Sequence, residues 1–332
     1  MTVSTDRIDV VGIGNAMVDV LTHETEEFVA AQGLVKGSMT LIDADRATEL
    51  YNQMGSAIEV SGGSAANTIA GVASLGGTGA YIGKVRNDQL GDIFAHDMRS
   101  IGVQYGVPRS TEGSPTGRCL ILVTPDGERT LSTFLGASVG LTPDDIEGSL
   151  VRRARILYLE GYLWDPPAAK AAMRKAADHA IADDQRVSLT LSDSFCVDRH
   201  RESFLDLIDS SVDVLFANEE EITSLLEVDS VEAAIAGIVG RTEICVITQG
   251  AAGASIVTAD RVVQVPADAV DHVVDTTGAG DLYASGFLVG LARGHDLEMC
   301  GRLGSIAAAE IISHIGPRPE VDLAELVASK LR

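Results

Sequence analysis

The sequence predicts an α/β protein built on an open, mostly parallel sheet with helices on both faces. The first observation is the strand–helix alternation that runs from Val151 onward. Apolar runs of strand length, alternating with helices of about eight to sixteen residues, belong to parallel sheets covered on both sides. The second is composition: 332 residues, 45% hydrophobic, mean hydropathy +0.17 and 34 glycines allow a large core closely packed through small residues.

The elements follow in order. Asp9 to Ile13 is a β-branched run that fits a first core strand. It ends in Gly12-Ile13-Gly14, but Met17 stands where a dinucleotide fingerprint needs its third glycine, so this signal is weak. Asn15 to Leu21 alternates like a second strand and carries Asp19 within apolar neighbours, either paired or awaiting a ligand's hydroxyls. Glu24 to Gln32 is helical and Ser38 to Ile42 strand-like. Asp43 caps a helix to about Met54. Gly62-Gly63 then opens an alanine-rich helix, with Ser64 and Asn67 offering hydrogen bonds in its first turn.

Thr78 to Gly83 is a strand. The Gly83-Lys84 after it is no P-loop, because Val85 and Thr78 occupy required positions. Phe94 to Gly102 is an amphipathic helix. Gly117 to Val123 and Glu128 to Leu135 flank Pro125-Asp126-Gly127 as a hairpin. Beyond Val151, strands are expected at 154–159, 187–191, 212–217, 244–248 and 254–257, with helices at 167–182, 201–208, 219–226 and 231–239. Helices at 282–293, 298–312 and 323–331 close the chain.

The densest chemical signal is Asp275-Thr276-Thr277-Gly278-Ala279-Gly280-Asp281, expected to join the alternating segment Val262 to Val274 to a packed helix. A helix start presents unpaired N–H groups and the positive end of the macrodipole. Gly278, Ala279 and Gly280 leave room for a phosphate to approach those amides. Asp281 would repel that phosphate unless it accepts a proton from the attacking hydroxyl, which suggests phosphoryl transfer. The plain alternative is an Asp that complements the dipole beside two turning glycines. Asn218-Glu219-Glu220-Glu221 follows a strand end, where open α/β sheets bind ligands. Asn218 and Glu221 could orient water around a phosphate-bound Mg²⁺, or could merely decorate a helix start. Thr248 to Gly253 supplies a small-residue turn near the same edge.

The net charge of −23 argues against nucleic-acid and anionic-membrane partners. Cys119, Cys196, Cys245 and Cys300 are scattered and suggest thiols in a reducing cytoplasm. Met1 to Arg7 lacks the basic start and apolar core of a secretory signal, so a cytoplasmic location is expected.

Taken together, Gly62-Gly63 with Asn67, Asn218 to Glu221 and Asp275 to Asp281 make the chain resemble the PfkB/ribokinase family of carbohydrate and nucleoside kinases, from Gly12 to about Pro317. The resemblance implies one ribokinase-like domain over residues 1–332, with a small β-sheet lid formed by about 16–42 and 105–136. It implies ATP and Mg²⁺ as cofactors, with Asp281 as base and Gly278, Ala279 and Gly280 as anion hole. Asn218 and Glu221 would hold the Mg²⁺ through water, and Asn218, Thr248, Gly250, Thr276, Gly278 and Gly280 would meet ATP. Asn15, Asp19, Gly62, Gly63, Ser64 and Asn67 would grip the acceptor. Asp275 and Thr277 would lie near the monovalent-cation site, for K⁺, that some members use.

The three residues between Asn15 and Asp19, and Gly62-Gly63-Ser64 before Asn67, resemble the adenosine kinase branch. There Phe134 would touch a purine. An apolar slot around Met17 and Phe134 would favour a base, and a polar pocket a free sugar. A sugar kinase and a non-catalytic binding module are the competing readings; a nicotinamide oxidoreductase is the weakest. Arg86, where many members carry Gly, and Trp164 have no assigned role. A monomer or a homodimer paired through the lid edge is compatible with the resemblance.

Overall fold

The computed structural model describes residues 7–332. Residues 1–6, on which most of the no-signal reading falls, lie outside the described residues. Nine strands form the larger sheet. In space they run Val262–Val265, Ala254–Val257, Ile244–Thr248, Val214–Asn218, Arg186–Thr190, Ala154–Glu160, Ile8–Ile13, Gly79–Ile82 and Gln104–Tyr105. The pairings from Ile244–Thr248 to Gln104–Tyr105 are parallel, and the first two strands add antiparallel. Strand order reverses at Ile8–Ile13, whose chain continues to Gly79–Ile82 on one side and later to Ala154–Glu160 on the other. The carboxyl ends on either side of such a switch point leave a crevice for ligands.

Helices cover both faces. On one, Ala172, Met173, Phe204, Ile222 and Ala234 pack on Leu157, Leu189 and Leu215. Trp164 belongs to this core. It is fully buried, stacks on Phe204 at 5.7 Å and is flanked by Lys170 and Arg174. On the other face, Ile69, Phe94, Phe287 and Ile311 pack on Val10, Tyr81 and Val246. The helix Ala279–Ala292 is buried on nearly every side. At Gly286 an added Cβ would lie 2.4 Å from the Leu303 backbone, so this glycine sets how closely Leu297–Ile311 can pack.

The smaller sheet runs Met39–Leu41, Arg129–Phe134, Gly117–Val123, Met17–His23, Ile58–Gly62. The hairpin at Pro125-Asp126-Gly127 forms as the sequence indicates. The edge strand Ile58–Gly62 lies outside both expected lid segments, because its mixed Ile-Glu-Val-Ser-Gly pattern gives little strand signal. One residue from each strand stands in register: Val60, Asp19, Cys119, Thr133 and Leu41.

Several boundaries move. Asp88 and Asp193 cap their helices, so these run Gln89–Ser100 and Ser194–Ser211, starting five and seven residues before the expected positions. The alternation at 262–274 yields a strand only over Val262–Val265. Residues 266–277 carry no regular strand or helix.

Candidate active site

The carboxyl edge of the larger sheet, the open face of the smaller sheet and the start of Ala279–Ala292 enclose a cavity of about 930 Å³. This is the upper range of small-molecule sites. Asn15, Asp19, Gly63, Ser64, Asn67, Asn218, Glu221, Thr248, Gly250, Thr276, Thr277, Gly278, Ala279, Gly280 and Asp281 all line it. The motifs, up to 266 residues apart in sequence, therefore share one space.

At its centre Asp281 accepts hydrogen bonds from Ser64 Oγ at 2.6 Å and Asn67 Nδ2 at 3.0 Å. Removal from bulk water raises its pKa, while these two bonds and the charge of Arg318 oppose the rise. Since a carboxylate only accepts, the bond from Asn67 fixes that amide's orientation. Its Oδ1 is left buried without a partner among the described residues.

Two glycines are required by geometry. Gly63 has φ +101°, and a Cβ there would lie 2.2 Å from the Asn15 carbonyl oxygen. Gly278, the N-cap, has φ +81° and turns the chain into the helix. The N–H groups of Gly278 and Gly280 make no hydrogen bond among the described residues. That of Ala279, expected in the anion hole, is instead donated to the Thr276 carbonyl at 3.2 Å.

Asp19 is 8% exposed, and its carboxylate makes no hydrogen bond among the described residues, although its backbone lies within the sheet. Burial raises its pKa to about 6 despite the nearby charges of Arg318 and Arg129. Gly62 does not line the cavity. Its role is clearance, since a Cβ there would fall 2.4 Å from the Asp19 carboxylate. Asn15 is held from behind: Nδ2 donates to Glu160 at 2.6 Å, and Oδ1 accepts from Ser138 Oγ at 2.8 Å.

Phe134 is corrected. It is buried and absent from the cavity wall, which Thr133 and its alternate neighbours Leu131 and Leu135 form instead. Side chains alternate along a strand, so Phe134 has the opposite phase from the register row of Asp19, Cys119 and Thr133. The apolar wall is Met17, Met39, Leu41, Ile121, Leu131 and Leu135, joined by Phe195.

Asn218 and Glu221 form a capping box: Asn218 Oδ1 accepts from Glu221 N at 2.8 Å, and Glu221 accepts from Asn218 N and Nδ2. Burial raises Glu221 to about 7, and the charges of Asp193, Glu220 and Asp281 add to the rise. Among the described residues no cluster of three or more His, Cys, Asp or Glu side chains could cage a metal. A cation held largely by water and phosphate, drawn by this accumulation of carboxylates, fits the donor set.

Asp275 does not line the cavity and is not a free ligand. It pairs with Arg129 behind the wall, so the residues present do not fit a monovalent-cation site. Glu160, Ser138, Arg318, Arg129 and Phe195 escaped the sequence reading. Arg318 donates to the Ser61 and Ala66 carbonyls beside the acceptor motif. Arg86 bonds the Gly113 carbonyl, outside the cavity.

Comparison with known proteins places the chain in a family. The family model "pfkB family carbohydrate kinase" matches residues 30–323. The chain belongs to the PfkB family. Membership makes it a phosphotransferase acting on an alcohol and implies ATP as donor. The crystal structure of adenosine kinase from Sinorhizobium meliloti is 48% identical, with TM-score 0.91, over 98% of this chain and 100% of that one. A probable sugar kinase from Rhizobium etli is also 48% identical, with TM-score 0.92, over 98% and 99%. Adenosine kinase of Saccharomyces cerevisiae is 28% identical, over 92% of this chain and 95% of its own. The two solved structures share the ribokinase-like architecture expected from the sequence. Among the described residues no helix is long and apolar enough to cross a membrane.

Proposed function

We propose that this PfkB kinase transfers the γ-phosphoryl group of MgATP to the 5′-hydroxyl of adenosine. The observation that carries the reading is the pairing of two surfaces in one cavity. Asp19 and Asn67 Oδ1 are buried and lack protein partners, as ribose hydroxyls require. The wall formed by Met17, Met39, Leu41, Ile121, Leu131, Leu135 and Phe195 supplies apolar surface that a free sugar could not use but a purine could. The likeness to adenosine kinases of two organisms supports the same choice.

In this account Asp281 receives the proton of the acceptor hydroxyl. The hydroxyl oxygen bonds to the γ-phosphorus as the bond to the β–γ bridging oxygen breaks, and ADP leaves. The raised pKa of Asp281 makes it a better proton acceptor than an ordinary carboxylate. The free amides of Gly278 and Gly280, at the positive end of the helix, would stabilise charge on the transferred group. Thr248, Gly250 and Thr276 would contact the nucleotide, while Gly63, Ser64 and Asn15 shape the acceptor edge. Asn218 and Glu221 would hold Mg²⁺ through water; the ion would neutralise phosphate charge. The smaller sheet would act as a lid that excludes water.

The likeness to the Rhizobium etli protein keeps a sugar acceptor as the second reading. ADP release from MgATP with adenosine, inosine, guanosine, ribose or fructose decides between them. Adenosine should exceed the sugars in kcat/KM by at least about 100-fold, because the apolar wall binds only a base. A sugar winning would overturn the acceptor assignment, and ligand binding without any turnover would favour a non-catalytic binding module.

A further inference from the structure

We infer that Arg129, reaching from the smaller sheet, supplies the positive charge at Asp275, so that this kinase needs no monovalent cation there. The inference rests on the phosphotransferase reading of the cavity but not on the choice of adenosine.

Asp275 opens the segment that carries the anion hole. One carboxylate oxygen accepts the Thr277 N–H at 3.0 Å. The other accepts the Gly316 N–H at 3.1 Å and a guanidinium N–H of Arg129. A carboxylate offers about four acceptor positions, so N–H donors already take three. The two side chains are only 7% and 6% exposed. Guanidinium stays protonated at any physiological pH, so Asp275 is neutralised one to one. A second cation would meet a like charge on the same carboxylate, with little solvent to screen it.

The burial also says what the arrangement is for. Nε and Nη2 of Arg129 are buried without partners, so the side chain is not held there by a full set of hydrogen bonds. What it contributes is charge. Because Arg129 starts the strand Arg129–Phe134, that charge arrives only when the smaller sheet is docked. Arg129 is thus a positioning residue, linking the sheet that covers the acceptor to the segment that would hold the phosphate.

The test compares KCl with tetramethylammonium chloride at equal ionic strength, reading Tm and the rate of ADP release. Wild-type Tm should agree within about 1 °C between the salts and its rate within about twofold, since an ion that does not bind cannot stabilise. Arg129→Gln should uncover the carboxylate, and KCl should then raise its Tm by about 3 °C or more. Arg129→Lys keeps the charge and should stay insensitive. A wild-type protein that KCl stabilises by several degrees or activates about fivefold or more overturns the inference. So does an Arg129→Gln variant that responds to the salts as wild type does. If Arg129→Gln does not fold, the wild-type comparison still decides, and the Tm reading holds even if the acceptor is misassigned.

Discussion

Glu160 shows how one side chain organises the site without belonging to any motif. Buried at the carboxyl end of Ala154–Glu160, it accepts from Asn15 N at 3.1 Å, Asn15 Nδ2 at 2.6 Å and Ala65 N at 2.8 Å. It thereby ties the first strand's exit to the start of the acceptor helix. Burial raises its pKa from an ordinary 4.5 to about 7, although those three bonds favour the charged form. Between these values the folded chain holds a proton that the unfolded chain has released. Its contribution to stability is therefore fully present below about pH 4.5 and falls as pH rises through about 7. Glu160→Gln imitates the protonated acid. The stability of this variant relative to wild type should rise between pH 5 and pH 8 in urea titrations. A difference that stays flat, or falls, would show that Glu160 is charged in the fold throughout. The sequence did carry a faint sign, an acid closing an apolar strand. Only the switch-point topology makes that acid the meeting point of two segments.

At the scale of elements, the helix starts marked by glycine are legible and the phase of the strands is not. Gly62-Gly63 and Gly278-Ala279-Gly280 announce turns into helices because Gly63 and Gly278 adopt a positive φ that only glycine takes without strain. Gly63→Ala places a Cβ against the Asn15 carbonyl oxygen in a left-handed backbone. It should cost at least about 2 kcal/mol of stability and raise the acceptor KM, since Ser64 and Asn67 follow directly. An alanine variant with wild-type Tm and KM would show that this turn is not constrained. Phe134 illustrates the other case. Arg129 to Phe134 reads as a strand from its β-branched and aromatic content, but the face of each residue depends on pairing register. Register across five strands was not available from one hairpin. The same holds for Asp275: its motif is plain in the sequence, while its partner Arg129 lies 146 positions away and is brought there by the fold. Two other helix starts lie earlier than the apolar pattern indicates, because Asp88 and Asp193 cap them.

For the whole molecule, we propose that the two sheets fold as one domain. A single hydrophobic cluster joins Val18, Val20 and Leu120 of the smaller sheet to Val10, Tyr81 and Ile156 of the larger. Calorimetry should show one transition with equal calorimetric and van't Hoff enthalpies; two resolved transitions would mean that the smaller sheet melts independently. The excess of 48 acidic over 25 basic residues makes local recognition of a polyanion necessary. In the proposed function the helix-start amides and a water-held Mg²⁺ would provide it, against the field of the whole surface. Composition bears on partner classes through this surface field and says nothing about the acceptor. That choice lies in the seven apolar side chains of the cavity wall, drawn from separate segments.

The most direct test of the account is Asp281→Asn, with turnover measured at saturating adenosine and MgATP and adenosine affinity measured by calorimetry. Asparagine preserves the shape beside Ser64 and Asn67 but cannot take the proton. Turnover should fall by about 10³-fold or more while adenosine affinity changes by less than about fivefold, because the lost interaction acts mainly in the transition state. A variant that retains near-wild-type turnover would contradict the central claim that this carboxylate is the base.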